Sequence, residues 1–203
     1  MGRVSAMERV GGHPALDFVN TLGGRPDDPD DEYLFDYADL LTFVAHPIPL
    51  IDGETAAVLG DLAARHPRAA ATTLERALRL RSALDRVLRA RLHDRPPSAA
   101  DLDVVAHHYA EAMRHAELFW RDTEYLWSWP REEADTTVDA ALWPLATASV
   151  DLLRDAPLDR LARCGHCRWL FLDSSKNRSR RWCSMNACGA RMKMRRYRSA
   201  RQA

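Results

Sequence analysis

All four cysteines of this 203-residue chain fall within its last forty residues, at Cys164, Cys167, Cys183 and Cys188. Their spacing is C-x2-C, fifteen residues, then C-x4-C. Two close pairs joined by a longer loop suit a single tetrahedral metal. Each pair supplies two thiolates from one tight turn, and the loop brings the second pair round to close the site. Zinc takes four thiolates at about 2.3 Å, and a site filled by protein ligands is structural rather than catalytic. Scattered core cysteines would leave some among the first 163 residues, which hold none. Two disulfides are the other pairing, but the opening MGRVSAMERVGGHP has no apolar run of the signal-peptide kind. A reducing, cytoplasmic setting is therefore expected, and the paired spacing favours one structural Zn2+.

The same residues carry a resemblance. The segment resembles the CGNR zinc finger, a bacterial module named for its last cysteine and the three residues after it. The match includes both cysteine pairs, the run SKNRSRRWCSMNACG from Ser175 to Gly189, and the basic tail. The chain departs from the family at Ala190, which stands where the family has Asn. Upstream, HPALDFVNT from His13 to Thr21 resembles the start of the ABATE domain, the helical domain usually found ahead of this finger in stress-induced transcription regulators of bacteria. Together the resemblances cover nearly the whole chain. They imply a helical domain over residues 1–157, with sensing or dimerisation as its role, and a finger over 158–203. They also imply a nucleoid-associated DNA-binding regulator, with a small-molecule effector and a homodimer as further expectations.

The formal net charge of zero hides a strong polarity. Residues 160–203 hold thirteen Lys and Arg against a single acid, Asp173. Residues 1–159 hold sixteen bases against twenty-eight acids. A basic end on a neutral chain points to a polyanion partner. Lys176 and Lys193 are the only lysines, so the preference for arginine is chain-wide and says nothing about base reading. No apolar run approaches membrane-spanning length, so no membrane partner is expected.

The fold class expected is mainly α, a helical N-terminal domain with a small β-hairpin followed by a treble-clef-like zinc finger. A short helix is predicted within His13–Leu22, others over Asp36–Ala45 and from Asp52 or Gly53 to Arg65, with an exposed loop over Gly23–Glu32. Thr72-x-x-Glu75 reads as a capping box opening a long helix to about His93. Ser98 is expected to cap a helix whose core face runs through Leu102, Val105, Ala106, Tyr109, Ala112 and Met113. The aromatic stretch Glu117–Trp129 reads as a β-hairpin turning at Arg121-Asp122-Thr123. Its tryptophans, Trp120, Trp127 and Trp129, suit a core or interface better than a ligand pocket. A last helix is predicted from Thr136 or Thr137, with Pro144 delaying or kinking its start.

Within the finger, Cys164-Gly165-His166-Cys167 is expected to form a knuckle in which Gly165 lets backbone amides turn toward sulfur. Trp169–Leu172 is predicted as the first strand of a hairpin, Ser174–Arg178 as its turn and Arg180–Cys183 as its return. Cys188 then opens a helix to about Ser199. Trp169, Phe171, Trp182 and Met185 are expected to form a small core, and Cys188→Ser to unfold the finger while sparing the helical domain. The candidate nucleic-acid contacts are Lys176, Arg178, Arg180 and Arg181 on the loop, and Arg191, Lys193, Arg195, Arg196 and Arg198 on the helix. Arg191, Arg195 and Arg198 share one helical stripe. Duplex DNA is the expected ligand; the alternatives are RNA or ribosome binding and docking of an acidic protein. Catalysis is not expected, since four thiolates leave zinc no open position and no nucleophile elbow, P-loop or dinucleotide fingerprint is present.

Overall fold

Two of the helices start at a carboxylate that precedes an apolar run. The computed structural model describes residues 3–23, 31–48 and 50–200, apart from the side chains of Arg121 and Arg196. Asp36 accepts the Asp39 N–H at 2.9 Å and opens α2 (Tyr37–Ala45), which follows α1 (Pro14–Val19). Asp52 accepts the Thr55 N–H at 2.7 Å and opens α3 (Gly53–Arg65). Each side chain satisfies an amide that the helix itself leaves free. The loop expected over Gly23–Glu32 falls, for residues 24–30, outside the described residues.

The capping box at Thr72 does not form. Helix α4 (Pro67–Leu92) starts five residues earlier, with Pro67 in its first turn, and the Thr72 hydroxyl donates to the Arg68 carbonyl inside the helix. Proline presets the helical φ and lacks only an amide that the first turn does not use. Helix α5 (Ala99–Arg114) also differs from expectation, because its buried residues are Val105, His108 and Ala112. Leu102 is 41% exposed, and Ser98 makes no side-chain cap bond. Packing against α4 and α7 (Trp143–Asp155) selects the face that carries His108.

The aromatic stretch forms the hairpin β1 (Glu117–Arg121) and β2 (Glu124–Ser128), paired antiparallel from Glu117↔Ser128 to Arg121↔Glu124. Asp122 and Thr123 both have positive φ, 47° and 80°, as a two-residue type I′ turn requires. Of Trp120, Trp127 and Trp129, only Trp129 packs against the core, its indole N–H donating to the Ala112 carbonyl at 2.9 Å. After the short α6 (Arg131–Ala134), Thr137 caps a 3-10 turn over Val138–Ala141, and Pro144 sits in the first turn of α7. The proline therefore starts this helix and does not kink it.

Leu16, Phe18, Leu40, Leu80, Leu84, Leu145 and Leu152 are fully buried where α1, α2, α4 and α7 meet. The same apolar cluster continues without a break into the finger through Leu170 and Phe171, each 0% exposed. No helix among the described residues is long and apolar enough to cross a membrane.

Candidate metal centre and its basic surface

The finger is built on β3 (Leu161–Arg163) and β4 (Leu170–Leu172), paired from Leu161↔Leu172 to Arg163↔Leu170. This corrects the predicted pairing. Leu170–Leu172 joins the strand before the first cysteine pair, and no strand forms over Arg180–Cys183. The Cys164–Cys167 knuckle is therefore the turn of this hairpin, tied by the Cys164 N–H to the Trp169 carbonyl at 2.9 Å. Asp173 organises the next loop instead of a strand. A hydrogen bond from the Ser175 hydroxyl, then the Ser175 N–H at 2.8 Å and the Arg180 N–H at 3.0 Å, hold its carboxylate below the usual carboxylate range.

The second cysteine pair lies at the foot of the last helix. Ser184 accepts the Ala187 N–H at 3.2 Å, a wide turn covers Met185–Gly189, and α8 (Ala190–Ala200) follows. Cys188 thus sits in the helical turn that leads into α8, close to where the helix was expected to open. All four sulfurs are buried and lie within 4.8 Å of one another. Cys167 and Cys183, and Cys183 and Cys188, are 3.6 Å apart. A regular tetrahedron with bonds of about 2.3 Å has ligands about 3.8 Å apart, so the cluster has the size zinc needs. Burial by itself pushes the Cys188 thiol up, and a divalent cation reverses that sign. The donor set fits one structural Zn2+.

Trp182 packs against both Cys-Gly steps. A Cβ on Gly165 would lie 2.9 Å from its ring, and one on Gly189 3.2 Å. Trp169 and Phe171 are buried as expected, but Met185 is 69% exposed and lies outside the small core.

The finger is fastened to the helical domain through the HPALDFVNT stretch. Asn20 bonds reciprocally to the backbone of Leu170, and the Gly11 carbonyl accepts the Leu172 N–H at 2.8 Å. Together these occupy the edge of β4 that β3 leaves open. Asp17, 4% exposed, accepts the Gly11 N–H at 2.8 Å and so holds the loop in place. Thr21 accepts from Arg81, which pairs through both guanidinium nitrogens with Glu32. Reading the stretch for apolar periodicity finds Leu16, Phe18 and Val19 and passes over these polar residues. The signal that could have found them was three polar side chains, Asp17, Asn20 and Thr21, within the otherwise apolar run from Pro14 to Leu22.

The basic residues divide in two. Arg180 turns inward, donating to the carbonyls of Val10, Trp182 and Cys183, with its guanidinium 4.2 Å from the Phe171 ring centroid. Arg178 is paired with Asp159. Lys176 and Arg181 on the loop, and Arg191, Lys193, Arg195 and Arg198 on α8, are exposed. None of these six forms an ion pair among the described residues, and Arg196 lies outside the described side chains. Helix α8 has no acidic residue, and of its described side chains only Met192 is buried.

The molecule is thus a helical domain joined to a zinc finger of four thiolates with a basic helix attached. Residues 160–201 match the CGNR zinc finger, and residues 12–156 match the ABATE family, described as "Putative stress-induced transcription regulator". The chain belongs to the ABATE family and carries a CGNR zinc finger at its C-terminal end. No curated protein matches the chain.

Proposed function

We propose that the zinc-loaded finger grips duplex DNA and that the protein regulates transcription at the nucleoid. The observation that carries this reading is α8, an exposed, acid-free helix placed directly after the fourth zinc ligand. Zinc fixes the base of the helix, and Arg191, Arg195 and Arg198 lie along one stripe that matches a phosphate row or a groove wall. Lys176 and Arg181 extend the positive surface. Six free cations displace condensed counterions and supply affinity whatever the base sequence. This is a binding role and not a catalytic one, since four thiolates fill the coordination sphere.

The test is binding of the zinc-loaded protein to random duplex DNA and to single-stranded RNA across a salt series. The expected result is tighter binding to duplex, a log–log salt slope of about −4 to −6, and loss of binding on chelation. Preference for RNA assigns the finger to an RNA-binding role. Absence of binding to both at low salt overturns the nucleic-acid reading in favour of an acidic protein partner.

For an effector, the cavity of about 470 Å³ between α4 and α5 is the place we assign. Arg76, Arg79, Asp103, His107 and His108 line it; Arg76 is paired with Asp139, so Arg79 is the guanidinium left to meet a small carboxylate or phosphate. A thermal-shift screen of such anions tests the assignment; stabilisation by none of them removes it.

A further inference from the structure

The hairpin is a part of the molecule that its own fold leaves uncovered. Leu118, Trp120, Tyr125 and Trp127 share one face and are 53%, 61%, 70% and 58% exposed. Trp120 and Tyr125 touch each other, with ring centroids 4.7 Å apart, and neither is covered by a helix. On the other face Phe119 and Leu126 are 39% and 44% exposed. A lone two-stranded hairpin is at best marginally stable in water, and apolar patches of this size mark interaction sites. At roughly 200 Å² per aromatic side chain, the four aromatics leave about 450 Å² uncovered, spread over both faces of the hairpin.

The free edge of β1 indicates the occupant. The type I′ turn closes on the Arg121↔Glu124 pair, so the alternation of the ladder points the N–H and C=O of Phe119 at β2. The same groups of Leu118 and Trp120 then point outward, away from β2. We propose that the protein forms a two-fold dimer in which β1 of one copy pairs antiparallel with β1 of a second copy, centred on Phe119. In that register Leu118 stands opposite Trp120 of the second copy, and the two exchange both backbone hydrogen bonds. Phe119 meets its own counterpart at the non-hydrogen-bonded position, where side chains come closest. Glu117 stands opposite Arg121 of the second copy at both ends, so the strand ELFWR is complementary to itself in charge and in apolar pattern. The β2 edge lacks this property, since centring EYLWS on Leu126 sets Glu124 opposite Ser128. Pairing through β1 produces a four-stranded sheet, the size at which a sheet with an apolar face holds by itself, and removes the open edge.

The experiment is sedimentation equilibrium on the full-length zinc-loaded protein, with Glu117→Arg and Arg121→Glu measured singly and mixed. The wild type is expected to dimerise in the micromolar range. Each single variant should weaken the dimer about tenfold, because two cross-strand pairs turn from attraction to repulsion. The mixture should restore it, since the heterodimer sets Arg opposite Glu at both ends. Leu118→Pro removes an outward amide while leaving the β1–β2 ladder intact, and should also dissociate the dimer. A dimer indifferent to all three changes lies elsewhere on the molecule and overturns the proposal. So does a wild type that stays monomeric. If that monomer floats with lipid vesicles, the hairpin serves a membrane surface; if not, it serves a different protein.

Discussion

Asn20 and Leu170 hold each other at both ends. The Asn20 side-chain amide donates to the Leu170 carbonyl, and the Leu170 N–H donates to the Asn20 side-chain oxygen, each at 2.8 Å. One asparagine thus plays the part of a neighbouring strand, 150 residues away in sequence, on the open edge of β4. Asn20→Ala leaves two backbone groups of a fully buried residue without partners, at about 1–3 kcal/mol each. A total loss of about 3 kcal/mol is expected in urea unfolding. A loss under about 1 kcal/mol would show that the pair contributes no more than an exposed contact.

Chelation of the metal is expected to reach well beyond the finger. In small finger peptides zinc supplies about 10–16 kcal/mol of apparent folding free energy. Here β4 sits in the same apolar cluster as α1 and is bonded to Gly11 and Asn20. Cys188→Ser, expected from sequence to spare the helical domain, should therefore lower the thermal midpoint of the helical far-UV signal. Zinc release and loss of helix should coincide on heating. Two well-separated transitions would show that the fastening is too weak to couple the halves.

Gly165→Ala should loosen the site by crowding. The added carbon meets Trp182 at 2.9 Å and the Arg181 carbonyl at 3.4 Å, and neither the ring nor the backbone can move away freely. Overpacking of this kind costs about 1–3 kcal/mol. Gly189→Ala should cost less, because its closest contact is the sulfur of the exposed Met185, at 3.1 Å. Competition for zinc with a chromogenic chelator, followed by the chelator's absorbance, measures both. Equal affinities for wild type and Gly165→Ala would show that the knuckle relaxes without cost.

The metal centre was legible because four thiols at paired spacing, in a chain with no other cysteine, suit a single tetrahedral ion and little else. The hairpin was legible from β-forming aromatics around a turn of Arg121-Asp122-Thr123. The finger's strand pairing was not. Three-residue strands carry too little alternation to show which neighbour Leu170–Leu172 prefers, and the answer depended on Asn20 and Gly11, far away in sequence. Arg180 shows the same limit. By composition it belongs to the basic loop, yet it is held by three carbonyls that only the folded chain brings together. His108 lies on the buried face of α5 because α4 and α7 enclose it, and periodicity counted over apolar residues assigned that face to Leu102.

Asp17 makes stability depend on pH. Burial raises its carboxyl from 3.8 to about 6, so the folded protein favours the protonated form. Below the lower value both folded and unfolded chains are protonated, and burial costs nothing. As pH rises through this window the unfolded chain releases its proton first, so this group's contribution to stability falls, and above about 6 the full cost remains. Asn at this position can still accept the Gly11 N–H and does not ionise. Asp17→Asn should therefore gain on the wild type as pH rises from about 4 to 6, by up to about 2–3 kcal/mol. A difference in unfolding free energy that stays constant across this range would contradict the burial account.

Arg180 and Arg181 are adjacent and should fail in opposite ways. Arg180 is half-buried and joins Val10 of the helical domain to the loop before Cys183, stacked over Phe171. Arg180→Ala should lower stability by about 2–3 kcal/mol, through lost charge-assisted bonds to carbonyls that stay buried. With enough zinc and a temperature well below the midpoint, its DNA affinity should change little. Arg181 and Arg195 are exposed and without ion pairs among the described residues. Arg181→Glu with Arg195→Glu should leave zinc content and thermal midpoint close to wild type. The same pair should flatten the salt slope by about two and abolish duplex binding near physiological salt. Paired melting and binding curves on the two variants separate the roles. If the double charge reversal binds DNA as the wild type does, the basic surface of the finger is not the contact, and the electrostatic reading of α8 fails.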